Sequence, residues 1–260
     1  MTFIERLAAR SRALDSLVCV GLDPDFRRHR VEEVAPFLRD VIAATMPYAA
    51  CYKPNVAFFE QWGIPGLRAL EAVIEAIPGE VPVIGDGKRG DIGSTAEAYA
   101  RALFEAWGFD AVTVNPYLGR DSVEPFLAYR DRGVYLLCRT SNPGAGDFQS
   151  LELSDGTRLY EHVAATVAGW GANAGLVVGA TAPAELARVR ELVPGLPLLI
   201  PGVGSQGGTP EEVIGAAGYR HGYVLVNASR SIVYAGAGPE AAANAARALR
   251  DALRAARNGS

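Results

Sequence analysis

Val81-Pro82-Val83-Ile84-Gly85-Asp86-Gly87-Lys88-Arg89-Gly90-Asp91-Ile92 joins an apolar run directly to a knot of charge. The run 81–85 lacks the polar alternation of a half-exposed strand, as expected of a parallel strand covered on both faces. Seven similar β-branched runs occur at 17–21, 50–54, 111–115, 134–138, 176–179, 198–201 and 223–226. Stretches rich in Ala, Leu, Glu and Arg separate them. Eight strand-then-helix units in about 250 residues are what a (β/α)8 barrel requires. An open doubly wound sheet is the alternative, but Gly21-Leu22-Asp23-Pro24-Asp25 follows the first run where a dinucleotide fingerprint would stand. The expected fold is therefore α/β, one (β/α)8 TIM barrel domain over residues 1–260, preceded by an amphipathic N-terminal helix with Glu5, Arg6, Arg10 and Arg12 among apolar residues.

Helix start signals support this division. Ser94-Thr95-Ala96-Glu97 has capping-box spacing, and Thr209-Pro210-Glu211-Glu212 places a cap, a first-turn proline and two acids in order. A final alanine-rich helix is predicted from 239 to about 257. The irregular segment 141–156, rich in Gly, Asp, Ser and Asn, is predicted to be a mobile loop over the site.

Composition narrows the function. The chain has 260 residues, 49% of them hydrophobic, enough for a full core. A net charge of −4 argues against nucleic acid or an anionic membrane as main partners, and no apolar stretch is long enough to span a bilayer. Cys19, Cys51 and Cys138 have no metal-ligand spacing and read as buried free thiols in a reducing cytoplasm. His29, His162 and His221 share no spacing and read as surface or packing residues, and Trp62, Trp107 and Trp170, in helical stretches, read as core.

Of 25 basic side chains only Lys53 and Lys88 are lysines. Arginine stays protonated at any working pH, whereas lysine is a compact ammonium that can surrender and recover a proton. Both lysines end apolar runs, and a barrel gathers its chemistry at the C-terminal strand ends. Those ends carry Asp23, Lys53, Asp86 with Lys88, Thr140 with Ser141, Pro201 with Gly202, and Ser229 with Arg230. Asp86 and Lys88, two apart on a strand, are expected to project together, with Lys53 in reach and Asp91 returning toward the lysine. The result would be an alternating array of two carboxylates and two ammoniums; its plain alternative is a structural salt-bridge network. Pro201-Gly202-Val203-Gly204-Ser205-Gln206-Gly207-Gly208 after the seventh run, with Ser229-Arg230-Ser231 after the eighth, fits the usual phosphate site of such barrels.

Asp86-x-Lys88-x-x-Asp91-Ile92 with Gly93-Ser94-Thr95 resembles the signature of the orotidine 5′-phosphate decarboxylase family. Gly21-Leu22-Asp23, Lys53-Pro54-Asn55, Thr140-Ser141-Asn142-Pro143, Pro201-Gly202-Val203-Gly204-x-Gln206-Gly207-Gly208 and Arg230-Ser231-Ile232 follow in matching order, so the resemblance runs from first strand to eighth. Lys88-Arg89-Gly90-Asp91 and the Thr140–Pro143 segment look like its longer bacterial and archaeal branch. Gly87 stands where a common form has Ala, and Ser229 where many relatives have Gly. The resemblance implies decarboxylation of orotidine 5′-phosphate to uridine 5′-phosphate with no metal and no cofactor. Asp86 would lie against the substrate carboxylate and Lys88 would protonate C6. Lys53 and Asp91 would complete the array, and Asp23 and Lys53 would grip ribose hydroxyls. Ser141 would bond the pyrimidine, while Gln206, Arg230 and the Ser229 amide would hold phosphate. Asp91, Ile92 and Thr95 would reach into the site of a second subunit, making a homodimer with shared sites. The alternative is a magnesium-dependent sugar-phosphate decarboxylase or aldol enzyme of the same superfamily; a non-catalytic phosphate-binding barrel is a third reading.

Overall fold

A computed structural model describes residues 1–204 and 207–258. Eight parallel strands among them are β1 (Val18–Gly21), β2 (Cys51–Lys53), β3 (Ile84–Arg89), β4 (Ala111–Val114), β5 (Gly133–Arg139), β6 (Ala174–Val178), β7 (Leu198–Pro201) and β8 (Val224–Ala228). They pair in the order β2-β1-β8-β7-β6-β5-β4-β3. The ends of this order meet through parallel bridges of Tyr52 with Val83 and Asn55 with Asp86. There the Tyr52 amide donates to Pro82 O at 3.1 Å and the Asp86 amide to Pro54 O at 3.0 Å. The sheet is thus a nearly closed barrel with helices outside it.

Alternation along the strands sorts the side chains into two sets. Val18, Val20, Val112, Val134, Leu136, Leu176, Leu198, Val224 and Val226 face outward and pack with the helices. Cys19, Cys51, Ile84, Ala111, Tyr135, Val177, Leu199 and Leu225 form a separate cluster, the barrel interior, together with Phe3 and Leu7 from the N-terminal helix Phe3–Leu14. That helix is capped reciprocally by Thr2 and Glu5, and it plugs the N-terminal end of the barrel. Phe3 meets Tyr135 edge-on at 6.1 Å, and Gly133 makes room for it: a Cβ there would lie 2.5 Å from the Phe3 ring.

Several expectations need correction. The third strand was expected at 81–85, but it runs from Ile84 through the charged motif to Arg89, because β4 continues to pair beyond Asp86. The 94–97 capping box does not form: the helix Gly93–Arg101 begins earlier, with Ile92 at its N-cap and no side-chain cap. The Thr209 box does form, with the Glu212 amide donating to Thr209 Oγ1 at 3.2 Å. The segment 141–156 is not simply irregular. It holds a 3-10 turn, Pro143–Asp147, and an antiparallel bridge of Glu152 with Arg158. Gln149 anchors it, accepting from the Thr140 amide at 2.8 Å and donating to Thr140 Oγ1 at 2.9 Å. Trp62, Trp107 and Trp170 pack against the core, and His29 stacks on Phe37 at 4.3 Å, as their contexts suggested.

Phe3 fills the floor of the barrel far from the strand ends that carry charge. Phe3→Ala should cost about 3–5 kcal/mol of stability by opening a cavity, read as a lower midpoint in urea unfolding, while the ligand affinity of the folded protein stays at the wild-type value.

Candidate active site

Moving two residues along each strand from the apolar interior layer reaches Gly21, Lys53, Asp86, Thr113, Leu137, Gly179, Pro201 and Asn227. One step of strand period therefore leads from an apolar plug to a floor that carries Lys53, Asp86, Thr113 and Asn227 beside Leu137, Pro201 and two glycines. Above that floor lies a cleft of about 760 Å³ that includes Asp23, Lys53, Asp86, Lys88, Thr113, Ser141, Pro201, Gly202, Asn227, Ser229 and Arg230 in its lining.

Asp86 is the hub. Its side chain accepts from Lys53 Nζ at 2.7 Å through Oδ2, and from Lys88 Nζ at 2.5 Å and Thr113 Oγ1 at 2.9 Å through Oδ1. Burial by itself would push the Asp86 carboxyl up, but the two ammoniums outweigh it and hold it well below the usual carboxylate range. Burial likewise works against the Lys53 ammonium, and the Asp86 and Asp23 carboxylates overcome it and raise its pKa. Both groups are thus charged across the physiological range. Asp23 accepts from the Asn55 amide at 3.1 Å, which fixes it beside Lys53.

The geometry of Lys88 is not that of a regular strand. Gly85 pairs with Val112 and Arg89 with Val114, so four steps on β3 face two on β4. Within this bulge Lys88 takes φ 45°, a left-handed conformation that L-residues adopt at a cost of about 1–2 kcal/mol. Asp86 and Lys88 do converge, as the sequence suggested, but through a bulge instead of simple alternation.

Asp91 does not return to the lysines. Its carboxylate accepts from the Ile92 amide at 2.8 Å, and neither lysine pairs with it. Ile92 and Thr95 are exposed, and none of the three lines the cleft. The array within one chain is therefore one carboxylate between two ammoniums, not two and two. At the opposite rim, Pro201 and Gly202 lead into the glycine loop, where Gly202 at φ 105° makes a turn that a Cβ would strain. Arg230 stands at this rim with no carboxylate partner among the described residues, and Ser229 Oγ is buried there without a hydrogen-bond partner. Gly21 accommodates Ser229, whose Cβ would be 2.6 Å from any Cβ added at Gly21. Gly179 accommodates Ser141 in the same way: a Cβ added at Gly179 would lie 2.9 Å from the Ser141 Cβ. Gln206 lies outside the described residues.

The sequence reading missed Thr113 and Asn227. Both were legible in retrospect: each lies two residues beyond an interior apolar residue, Ala111 and Leu225, in register with the lysine and aspartate layer. Neither carries a charge, so nothing in composition marked them.

Asp86→Asn would leave the Lys53 side chain, 4% exposed, without its main counter-charge. Removing one partner of a buried pair costs about 3–5 kcal/mol, so the variant should unfold at clearly lower denaturant. The pH dependence has a definite sign. The depressed Asp86 pKa contributes stability that is present above the unfolded carboxyl pKa and lost as pH falls through the folded value. The acid-side fall in wild-type stability should therefore be shallower in Asp86→Asn, measured by denaturant unfolding from pH 7 downward.

Comparison with known proteins agrees with this geometry. A model of the orotidine 5′-phosphate decarboxylase / HUMPS family matches residues 16–246. The chain is 52% identical to the orotidine 5′-phosphate decarboxylase of Halorubrum lacusprofundi, over 91% of this chain and 89% of that one. It is 48% identical to the enzyme of the same name from Bordetella pertussis, over 99% of this chain and all of the relative. Its fold matches the OMP decarboxylase structure of Leishmania donovani with a TM-score of 0.90, at 42% identity and 100% coverage of both chains. The chain belongs to the orotidine 5′-phosphate decarboxylase / HUMPS family.

Proposed function

We propose that this cleft decarboxylates orotidine 5′-phosphate to uridine 5′-phosphate and CO₂, with Lys88 as proton donor and Asp86, Lys53 and a second subunit's copy of Asp91 as the surrounding charges. One observation carries the assignment of roles: a buried carboxylate held between the chain's two lysines at the floor of a cleft whose far rim presents Arg230 and a glycine loop. The C6–carboxylate bond breaks, its electron pair stays on C6, and CO₂ leaves. Lys88 Nζ then gives its proton to C6 and recovers one from solvent. A prearranged ammonium stabilises the developing carbanion because it needs no reorganisation as charge appears. Asp23 and Lys53 take the ribose hydroxyls and Ser141 the pyrimidine. Arg230, the Ser229 amide, Pro201, Gly202 and Gln206 surround the phosphate, whose binding helps organise the site at a distance from C6.

Support for a shared site comes from the rim. Ile92, Tyr117, Leu118 and Phe148, between 47% and 80% exposed, follow β3, β4 and β5 at the same end of the barrel as the cleft. Large apolar side chains grouped in this way mark an interaction surface, and Asp91, Ile92 and Thr95 stand beside it. We read residues 1–260 as one barrel domain acting in a cytoplasmic homodimer, without nucleic acid or membrane partners. The described cysteines are free and buried, and no helix of the described residues is long and apolar enough to cross a membrane.

The magnesium-dependent alternative shares the Asp-x-Lys-x-x-Asp motif, and a chelator separates the two. Purified protein should consume the ultraviolet absorbance of orotidine 5′-phosphate equally with and without chelator. Lys88→Ala should lose about 1000-fold or more in kcat while still binding uridine 5′-phosphate. Lys88→Arg should not rescue it, since guanidinium does not yield a proton. Substantial turnover by Lys88→Arg, or abolition by chelator, would remove this mechanism.

Subunit sharing has its own test. Lys88→Ala and Asp91→Ala should each be nearly inactive alone. Mixed in equal amounts and allowed to exchange, they should form heterodimers with one intact site, giving about a quarter of wild-type activity. If native mass spectrometry verifies exchange and no activity returns, each site is built from one chain.

A further inference from the structure

We propose that Thr113 is a positioning residue for the decarboxylation, its hydroxyl holding Lys88 and Asp86 in register through one oxygen. Thr113 lies on β4, 1% exposed, in the polar floor of the cleft. Its Oγ1 accepts from the Lys88 backbone amide at 3.0 Å and donates its single proton to Asp86 Oδ1 at 2.9 Å. That same Oδ1 receives Lys88 Nζ at 2.5 Å. Thr113 Oγ1, Asp86 Oδ1 and the two nitrogens of Lys88 thus form a closed circuit across the strand pair.

The circuit answers a specific need. The bulge between Gly85 and Arg89 takes the part-buried Lys88 amide out of the regular β3–β4 ladder, where an amide without an acceptor is unfavourable to the extent that it is shielded from water. The left-handed backbone at Lys88, φ 45°, adds its own cost for a residue with a side chain. The Thr113 hydroxyl supplies the missing acceptor, so the strained turn that folds Nζ back onto Asp86 is held from β4. Being β-branched, Thr113 has few χ1 options and keeps its hydroxyl fixed. Its donated bond has a second consequence in the reaction. When Lys88 gives its proton to C6, Asp86 loses one of its two cationic neighbours, and the Thr113 O–H remains on the same oxygen to compensate the carboxylate.

The proposal rests on the decarboxylase reading, and its test separates the two. Wild type, Thr113→Val, Thr113→Ser and Thr113→Ala are assayed for kcat and KM with orotidine 5′-phosphate and for affinity toward uridine 5′-phosphate. Valine keeps the shape and removes the hydroxyl; kcat should fall by about 10- to 100-fold, with KM and product affinity within about threefold of wild type. Serine should restore kcat to within about threefold, and alanine should be as slow as valine. A crystal structure of Thr113→Val should show Lys88 out of the left-handed region and Nζ away from Asp86. The proposal is overturned if kcat of the valine variant stays near wild type, if serine is as slow as valine, or if product affinity falls as much as kcat. Lys88 unmoved in the valine structure also overturns it. Should valine not fold, the serine and alanine pair makes the same comparison, and equal rates overturn the proposal. A wild-type protein inert toward orotidine 5′-phosphate removes the decarboxylase reading itself, and the position of Lys88 in the variant structure then decides whether Thr113 holds it.

Discussion

The carboxylate of Asp86 clamped between Lys53 and Lys88 is the constraint around which the mouth of this barrel is built. Three charges close together at the end of a hydrophobic core are unfavourable unless each is paired and hydrogen-bonded. Asp86 meets that condition with three donors, two of them cationic. The same residue sits where the ring of strands closes, because its amide donates to Pro54 O and its carbonyl accepts from the Val56 amide. β2 contributes only Cys51–Lys53 to the regular sheet, so side-chain electrostatics and a few backbone bonds complete what the ladder leaves short. Fold closure and site assembly are one set of contacts here.

Much of this was legible from residue identity, and the reason is physical. Replacing lysine by arginine is nearly free on a surface but not where a compact ammonium must fit beside a buried carboxylate. Lys53 and Lys88 therefore stand out in an arginine-dominated chain. The barrel itself followed from the spacing of apolar runs, since parallel strands covered on both faces leave no other periodic trace. The rim of glycines and Arg230, proposed above to hold phosphate, was legible because it follows the two strands that usually supply such a site.

What stayed hidden depends on pairing between strands. Nothing local in Asp86-Gly87-Lys88 announces that β4 will force two extra residues into a bulge, or that Lys88 will turn left-handed. Thr113 owes its place to the β3–β4 register, which pairs Ile84 with Ala111 two residues before Asp86 and Thr113, a relation that exists only once the two strands pair. Ser94 has capping chemistry, yet the helix starts at Gly93, with Ile92 at its N-cap. The segment 141–156 was read as mobile from its composition, while Gln149, which neither charge nor pattern marks out, ties it back to Thr140. The return of Asp91 toward Lys88 failed for a different reason: nearness in sequence does not reverse a chain that is about to enter a helix.

The two lysines share one carboxylate and yet are suited to different work. Lys53 is 4% exposed in its side chain and faces both Asp86 and Asp23, which together keep its proton bound. It is a fixed positive charge. Lys88 is 45% exposed in its side chain and has Asp86 as its ion-pair partner at the edge of the cleft. A proton donor must recover its proton after each turnover, and only a group open to solvent can do so quickly. A bound nucleotide would also lie over Lys88 before it lay over Lys53, because Lys53 is set deeper in the floor. Burial therefore divides the pair into a deep, fixed charge and a more exposed one, and the exposed one suits the proton-donor role proposed above. The left-handed turn at Lys88 is what lifts that second ammonium out of the floor while leaving its nitrogen on Asp86.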